Sequence, residues 1–327
     1  MKKLNYFLLS LIFIMITACG DDDDDNTEDV VSEYKQEMRN FVQGISQYAK
    51  NIDNDFIIIP QNGPELVTTD GNEDSDPKTE YLIAIDGVGR EDLFYGYDND
   101  NEATPTSDSE YMIAFLDICE QNGVEVLTTD YCCDHGKMDD SYSKNEEQGY
   151  ISFAAPDREL NLIPDYPSST YNENSNDINS LADAKNFLYL LNPANFSSKQ
   201  EFIDEVNETN YDVIIMDMFL DDIEFTSTEI NQLKLKNNGG KRLLISYMSI
   251  GEAEDYRYYW NDSWSVGTPS WIEAENPDWE GNYKVKYWES EWQDIIYGNN
   301  NSYLKKIIDA NFDGVYLDII DAFEYFE

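Results

Sequence analysis

Short apolar runs alternate with helical patterns along this chain, and that alternation limits the folds open to it. The apolar spacing at Met38, Phe41, Val42, Ile45 and Ala49 predicts a helix over 33–50. Strand-like runs follow at 56–59, 81–85 and 124–128, with a helix over 107–121, a helical stretch over 141–148 and a short run at 151–155. Residues 164–184, rich in Pro, Ser, Asn and Asp, read as a linker. Strands are then expected at 187–191, 211–216, 242–247, 283–287 and 314–317, with helices at 198–208, 228–236 and 302–310. Three strands before the linker and five after it make eight, the count of a (β/α)8 TIM barrel, α/β in class. Two separate small α/β domains are the alternative.

Composition narrows the function. Of 327 residues, 67 are Asp or Glu, 21 are Lys or Arg and one is His, giving a net charge of −46. Such a chain is repelled by nucleic-acid phosphate and by anionic membrane surfaces, so neither is expected as a partner. A multi-histidine metal site is impossible. With 41% hydrophobic and 14% aromatic residues the chain still has enough apolar side chains for a large core. The acidity serves either solubility or attraction of a cationic substrate.

The first residues read as a secretory signal. Lys2 and Lys3 precede an apolar run over 7–16, too short to span a membrane, and Ile16-Thr17-Ala18-Cys19 closes it. That ending resembles the lipobox of bacterial lipoproteins, which implies cleavage after residue 18 and lipidation of Cys19. The acidic tether over 19–31, with Asp21 to Asp25, resembles the surface-export signal of Bacteroidetes lipoproteins. An outer-membrane lipoprotein at the cell surface, touching the membrane only through its lipid, is the expectation, with residues 32–327 as the folded domain. Cys119, Cys132 and Cys133 show no CxxC spacing, so no metal site is expected, and Cys119 falls on the apolar face of its helix.

Barrel active sites lie where the strands' C-terminal ends converge. The expected ends here are polar: Gln61-Asn62, Asp86 through Glu91, Asp130-Tyr131, Asn192, Asp217, Ser249 through Glu252, Trp288-Glu289 and Asp318. A carboxylate-lined mouth without catalytic Ser or His spacing points to glycoside hydrolysis, in which one carboxyl stays protonated and the other acts as an anion. The rings of Tyr256, Tyr258, Tyr259, Trp260, Trp264, Trp271, Trp279 and Trp288 could stack on sugars or pack the fold. His135 has no catalytic company and is expected in a loop.

Several motifs carry a family resemblance. Ser246-Tyr-Met-Ser-Ile-Gly-Glu-Ala-Glu254 with Tyr256-Arg257 and Trp260, Tyr287-Trp288-Glu289 with Trp292, and Phe312-Asp-Gly-Val-Tyr-Leu-Asp318 with Asp321-Ala-Phe323 resemble glycoside hydrolase family 114, the endo-α-1,4-polygalactosaminidases. Ile59-Pro-Gln-Asn-Gly63 and Ile85-Asp-Gly-Val-Gly-Arg-Glu91 resemble that family's later strands. The order is reversed, however. Residues 185–327 resemble strands 1–5 and residues 32–163 resemble strands 6–8, joined by 164–184. The resemblance therefore implies a circular permutant with termini between the fifth strand and its following helix.

It also implies Asp318 as nucleophile or cation stabiliser and Glu91 as acid/base, with no cofactor. Asp217, Glu252, Asp86 and Asp130 become candidates for binding hydroxyl or ammonium groups, with Gln61, Asn62, Trp288 and Tyr247 as further substrate contacts. The expected activity is endo-cleavage of an α-1,4-linked, galactosamine-rich polysaccharide. The alternatives are a glycan-binding lipoprotein without catalysis and a glycosidase of the same fold acting on another polysaccharide.

Overall fold

The computed structural model describes residues 33–327; Cys19 and the acidic run lie outside the described residues. Helix α1 (Glu33–Ile52) buries the expected stripe of Met38, Phe41, Val42, Ile45 and Ala49. Its Arg39 is fully buried and donates to the carbonyls of Glu65, Leu66 and Thr68, which fixes the turn over 63–68.

Among the described residues, eight strands run parallel in two sheets. In chain order they are β1 (Ile57–Pro60), β2 (Gly87–Glu91), β3 (Glu125–Tyr131), β4 (Ile151–Ala155), β5 (Phe187–Leu190), β6 (Val213–Met216), β7 (Leu243–Ser249) and β8 (Gly314–Asp318). One sheet has the order β1-β8-β7-β6-β5 and the other β2-β3-β4. Most of these strands are buried at every position, as parallel strands covered on both faces must be. The covering helices include α2 (Thr79–Leu82), α3 (Thr106–Gln121), α4 (His135–Gln148), α5 (Lys199–Asn207), α6 (Ser227–Leu233), α7 (Ser290–Ile296) and α8 (Tyr303–Asp309).

The two sheets adjoin at both edges. Gln61, just past β1, forms a parallel bridge with Gly89 of β2, and the Asn62 amide donates to the Gly89 carbonyl at 2.8 Å. At the other edge the rings of Phe153 in β4 and Phe187 in β5 lie 5.7 Å apart. Beyond those strands, the Leu191 amide donates to the Leu160 carbonyl at 2.9 Å.

The strand division differs from the expected three and five. Residues 79–82 are helical, because Tyr81, Leu82 and Ile85 bury one side at helical spacing while Ile83 points to solvent. The strand begins later, at Gly87. Its two glycines hid it from a propensity reading, yet Gly89 is there because a Cβ would fall 1.9 Å from the Tyr316 hydroxyl oxygen. Residues 283–287 do not join the parallel sheets either. Asn282–Val285 is the central strand of a small antiparallel sheet, between Glu252–Glu254 and Ile272–Glu275. With β4 a full member, the parallel strands fall four before residues 164–184 and four after.

That segment carries no strand or α-helix, only a 3-10 turn at Leu181–Asp183. It is nonetheless anchored. Lys236 Nζ, fully buried with Asp212 at 2.8 Å, also donates to the Asn174 carbonyl at 2.9 Å.

Candidate active site

Glu91 and Asp318 each end a strand, β2 and β8, and these strands belong to different sheets. Side chains two apart on a strand share a face, so Asp318 points the same way as Tyr316, and Glu91 the same way as Gly89. A layer of tyrosines therefore lies beneath the two carboxylates. Tyr247 of β7 donates its hydroxyl to Asp318 Oδ2 at 2.7 Å, and the Ile319 amide donates to Asp318 Oδ1 at 2.8 Å. Tyr131 of β3 donates to Glu91 Oε1. Gln61 Nε2 donates to Glu91 Oε2, while its Oε1 accepts from the Tyr189 hydroxyl at 3.0 Å. Asn62, in the left-handed region at φ 62°, donates to Glu91 Oε2 at 3.1 Å and accepts from the Glu91 amide at 3.3 Å. Among the described residues no group bonds the buried hydroxyl of Tyr316.

The two carboxylates have different surroundings. Glu91 receives three side-chain donors, from Gln61, Asn62 and Tyr131. Asp318 is pushed up to about 7, first by burial and then by the charge of Glu91, against the opposing pull of the Tyr247 bond. Asp321, one turn further on, is pushed up to about 6 by burial, Glu324 and Glu91. The site thus holds a proton near neutrality, the condition acid catalysis by a carboxyl requires.

Glu91 opens onto a cleft of about 320 Å³. Glu65, Asp92, Asp108, Asp321 and Glu324 line it, with Arg90 as the single Lys or Arg among the lining residues, and the exposed rings of Tyr97 and Tyr111 flank it. A groove of about 460 Å³ beside Tyr258 and Lys306 contains neither carboxylate of the pair.

The other expected contacts divide sharply. Tyr247, Gln61 and Asn62 meet the pair directly. Asp217 does not offer a free charge: the buried Arg257 holds it at 2.7 Å and also holds the buried Glu254 at 2.6 Å. Glu252 sits on the antiparallel sheet, accepting from Asn276 at 2.8 Å and Asn282 at 3.4 Å, with its carboxyl pushed up by burial. Asp86 precedes β2 and so lies at the strand end opposite Glu91. There it pairs with Lys50 at 2.9 Å and accepts from the Ile58 amide. Asp130 is fully buried, accepting from the amides of Phe94 and Tyr95, from Ser141 and from Asn145. Neither Asp86 nor Asp130 can reach a ligand at this cleft. Trp288 packs among Tyr34, Tyr287 and Phe326.

The aromatic stretch is mostly structural. Trp271 is buried, Trp260 stacks on Tyr283 at 4.8 Å, and Tyr258 has Phe219 against its ring and Lys306 Nζ 4.6 Å from its centre. Tyr256 and Trp279 remain exposed. His135 opens α4 and stacks on Tyr166. Cys119 is buried, as its helical face implied, and Cys119, Cys132 and Cys133 are all unpaired.

Sequence reasoning passed over Tyr131 and Tyr189. For Tyr131 a signal existed. Adjacent residues of a strand point to opposite faces, so choosing Asp130 for the mouth selected the side chain that faces α4 and left out the neighbour that faces the site.

Residues 168–327 match the model of glycoside-hydrolase family GH114. The matched segment contains β5 to β8 and Asp318; Glu91 precedes it. An uncharacterized protein of Methanocaldococcus jannaschii is 48% identical over 126 residues, 38% of this chain and 34% of the relative. An uncharacterized protein of Thermotoga maritima is 40% identical over 121 residues, covering 37% and 36%. One of Deinococcus radiodurans is 38% identical over 125 residues, covering 38% of each. The chain spans about a third of the length of these curated relatives. Residues 168–327, which carry β5 to β8 and Asp318, are thus similar to glycoside-hydrolase family GH114 over just under half of the chain.

Proposed function

We propose that this protein is a glycoside hydrolase whose reacting groups are Glu91 and Asp318. The observation that carries the reading is the meeting of two carboxylates from separate sheets, one held by three side-chain donors and one holding a proton up to about pH 7. In this reading the two sheets form one eight-stranded barrel. The Gln61–Gly89 bridge and the Leu191–Leu160 hydrogen bond at its two seams support closure. In family order the barrel runs β5 to β8 and then β1 to β4, so the permuted break falls between the fourth strand and α1.

The chemistry follows from the protonation pattern. A proton passes to the glycosidic oxygen as its bond to the sugar carbon breaks, and the charged carboxylate attacks or stabilises that carbon. The family resemblance gives the proton to Glu91. The hydrogen bonds of the free site favour the opposite split, with Asp318 as acid and Glu91 as the anion. An aryl glycoside with a good leaving group needs no acid for the first step. On it, Asp318→Asn should keep the release of aryl alcohol and Glu91→Gln should lose it; the reverse pattern restores the resemblance's split.

The acidic cleft supports a cationic polymer, and an α-1,4-linked galactosamine-rich polysaccharide cut internally is the substrate we infer. Lipidation at Cys19 and display on the outer membrane belong to the same reading. Incubation with a panel of amino-sugar polymers, followed by mass spectrometry, tests it. Shorter oligomers from galactosamine-containing chains alone are expected; release from neutral glycans alone moves the substrate, and retention without release makes the protein a binder.

A further inference from the structure

Arg158 lies on the irregular stretch after β4, and its contacts converge on the neighbours of Glu91. Its guanidinium carbon is 3.9 Å from the centre of the Tyr131 ring. Nη2 donates to Asp92 Oδ1 at 2.8 Å and to the Gly96 carbonyl at 3.1 Å, and Nε donates to Asp100 Oδ1 at 2.7 Å. Tyr131 in turn donates to Glu91, and Asp92 is the next residue after Glu91 in the chain.

Asp92 is held in an unusual backbone state. Its φ is 60°, in the left-handed region that non-glycine residues enter at a cost. Three contacts hold it there: its amide donates to the Thr129 carbonyl at 2.9 Å, its carbonyl accepts from Thr104 at 2.8 Å, and its carboxylate accepts from Arg158. Gly96 makes room for the ion pair, since a Cβ there would fall 2.1 Å from Asp92 Oδ1 and 3.1 Å from Arg158 Nη2. A flat guanidinium can stack on a ring and fork onto carboxylates at once, which a lysine ammonium cannot.

We propose that Arg158 is a positioning residue for Glu91, fixing the carboxylate through the Tyr131 ring on one side and the Asp92 backbone on the other. The proposal rests on Glu91 belonging to the hydrolytic pair. Arg158 is outside the cleft lining and reaches Glu91 only through these two neighbours. It also offsets a charge beside the pair: burial pushes the Asp92 carboxyl up, and Arg158 pulls it back down.

The test compares Arg158→Gln, Tyr131→Phe, their double variant, Asp100→Asn and Glu91→Gln in full-length protein, on the galactosamine polymer, with melting curves and the pH profile of kcat for each. Arg158→Gln should lower kcat by roughly 10–100-fold with a smaller change in KM, as loss of fine placement does. The double variant should fall no more than about threefold below the weaker single one, because both act along one path. The pH profile should shift in Arg158→Gln and move less in Asp100→Asn, which removes one carboxylate partner of the guanidinium and leaves its stack on Tyr131 and its bonds to Asp92. If Glu91→Gln is inactive while folded Arg158→Gln stays within about twofold of the parent, or if the two single losses multiply in full, the inference is wrong. If Glu91→Gln keeps full activity, the reading of the pair fails instead.

Discussion

Replacing Asp318 by Asn should make the protein more stable at alkaline pH even as it removes activity. Asp318 has a folded value of about 7 against an ordinary 3.8. Between those values the folded state keeps a proton that the unfolded state has released. Stability therefore falls as pH rises through this window; it is unaffected below about 4 and has reached its full loss above about 7. Across the window each step of one pH costs about 1.4 kcal/mol, so the loss from pH 5 to pH 7 is about 3 kcal/mol. Asn has nearly the same shape, keeps one acceptor oxygen for the Ile319 amide, can turn its NH2 toward the Tyr247 hydroxyl oxygen, and does not titrate.

Urea unfolding of both proteins at pH 5 and pH 8 isolates this contribution, because carboxyls remote from Asp318 act on both proteins alike. The difference in unfolding free energy should move in favour of the variant by about 3 kcal/mol between the two pH values. A difference unchanged to within about 0.5 kcal/mol would mean that Asp318 is charged throughout and that burial beside Glu91 does not govern its proton.

Other consequences can be measured directly. The rate kcat/KM should fall as pH rises through about 7, where Asp318 loses its proton; a rate that instead rises there gives Asp318 the anionic role. Gly89→Ala should cost about 1–3 kcal/mol in denaturant unfolding, since its methyl meets the Tyr316 hydroxyl. Tyr316→Phe in the same chain should recover part of that loss, though the ring carbon beneath the hydroxyl is also close. Lys236→Met should cost about 3–5 kcal/mol by leaving Asp212 buried without its cation, and a loss under about 1 kcal/mol would remove the anchor assigned to residues 164–184.

Helix α1 was legible from the sequence because its apolar stripe repeats at helical spacing, and buried parallel strands such as β6 are unbroken apolar runs. What misled was local chemistry answering to distant partners. The strand at 87–91 carries two glycines, and Gly89 is explained by a tyrosine more than two hundred residues away. A strand over 81–85 puts Asp86 at its C-terminal end, whereas Asp86 precedes the strand at Gly87–Glu91. The alternation at 283–287 was genuine strand, but only pairing with Glu252–Glu254 shows that it belongs to a separate antiparallel sheet. Asp217 looked like a free carboxylate because nothing in its own neighbourhood announces Arg257, forty residues on. Glu91 and Asp318 came from family motifs, and their meeting depends on the packing of two sheets.

The most direct measurement is the rate at which intact protein, Glu91→Gln and Asp318→Asn shorten the same galactosamine-rich polymer, followed by reducing ends at pH 6. The intact protein should cleave and both folded variants should lose at least about a hundredfold in rate, as removal of a reacting carboxyl does. Undiminished cleavage by either variant would contradict the assignment of the pair.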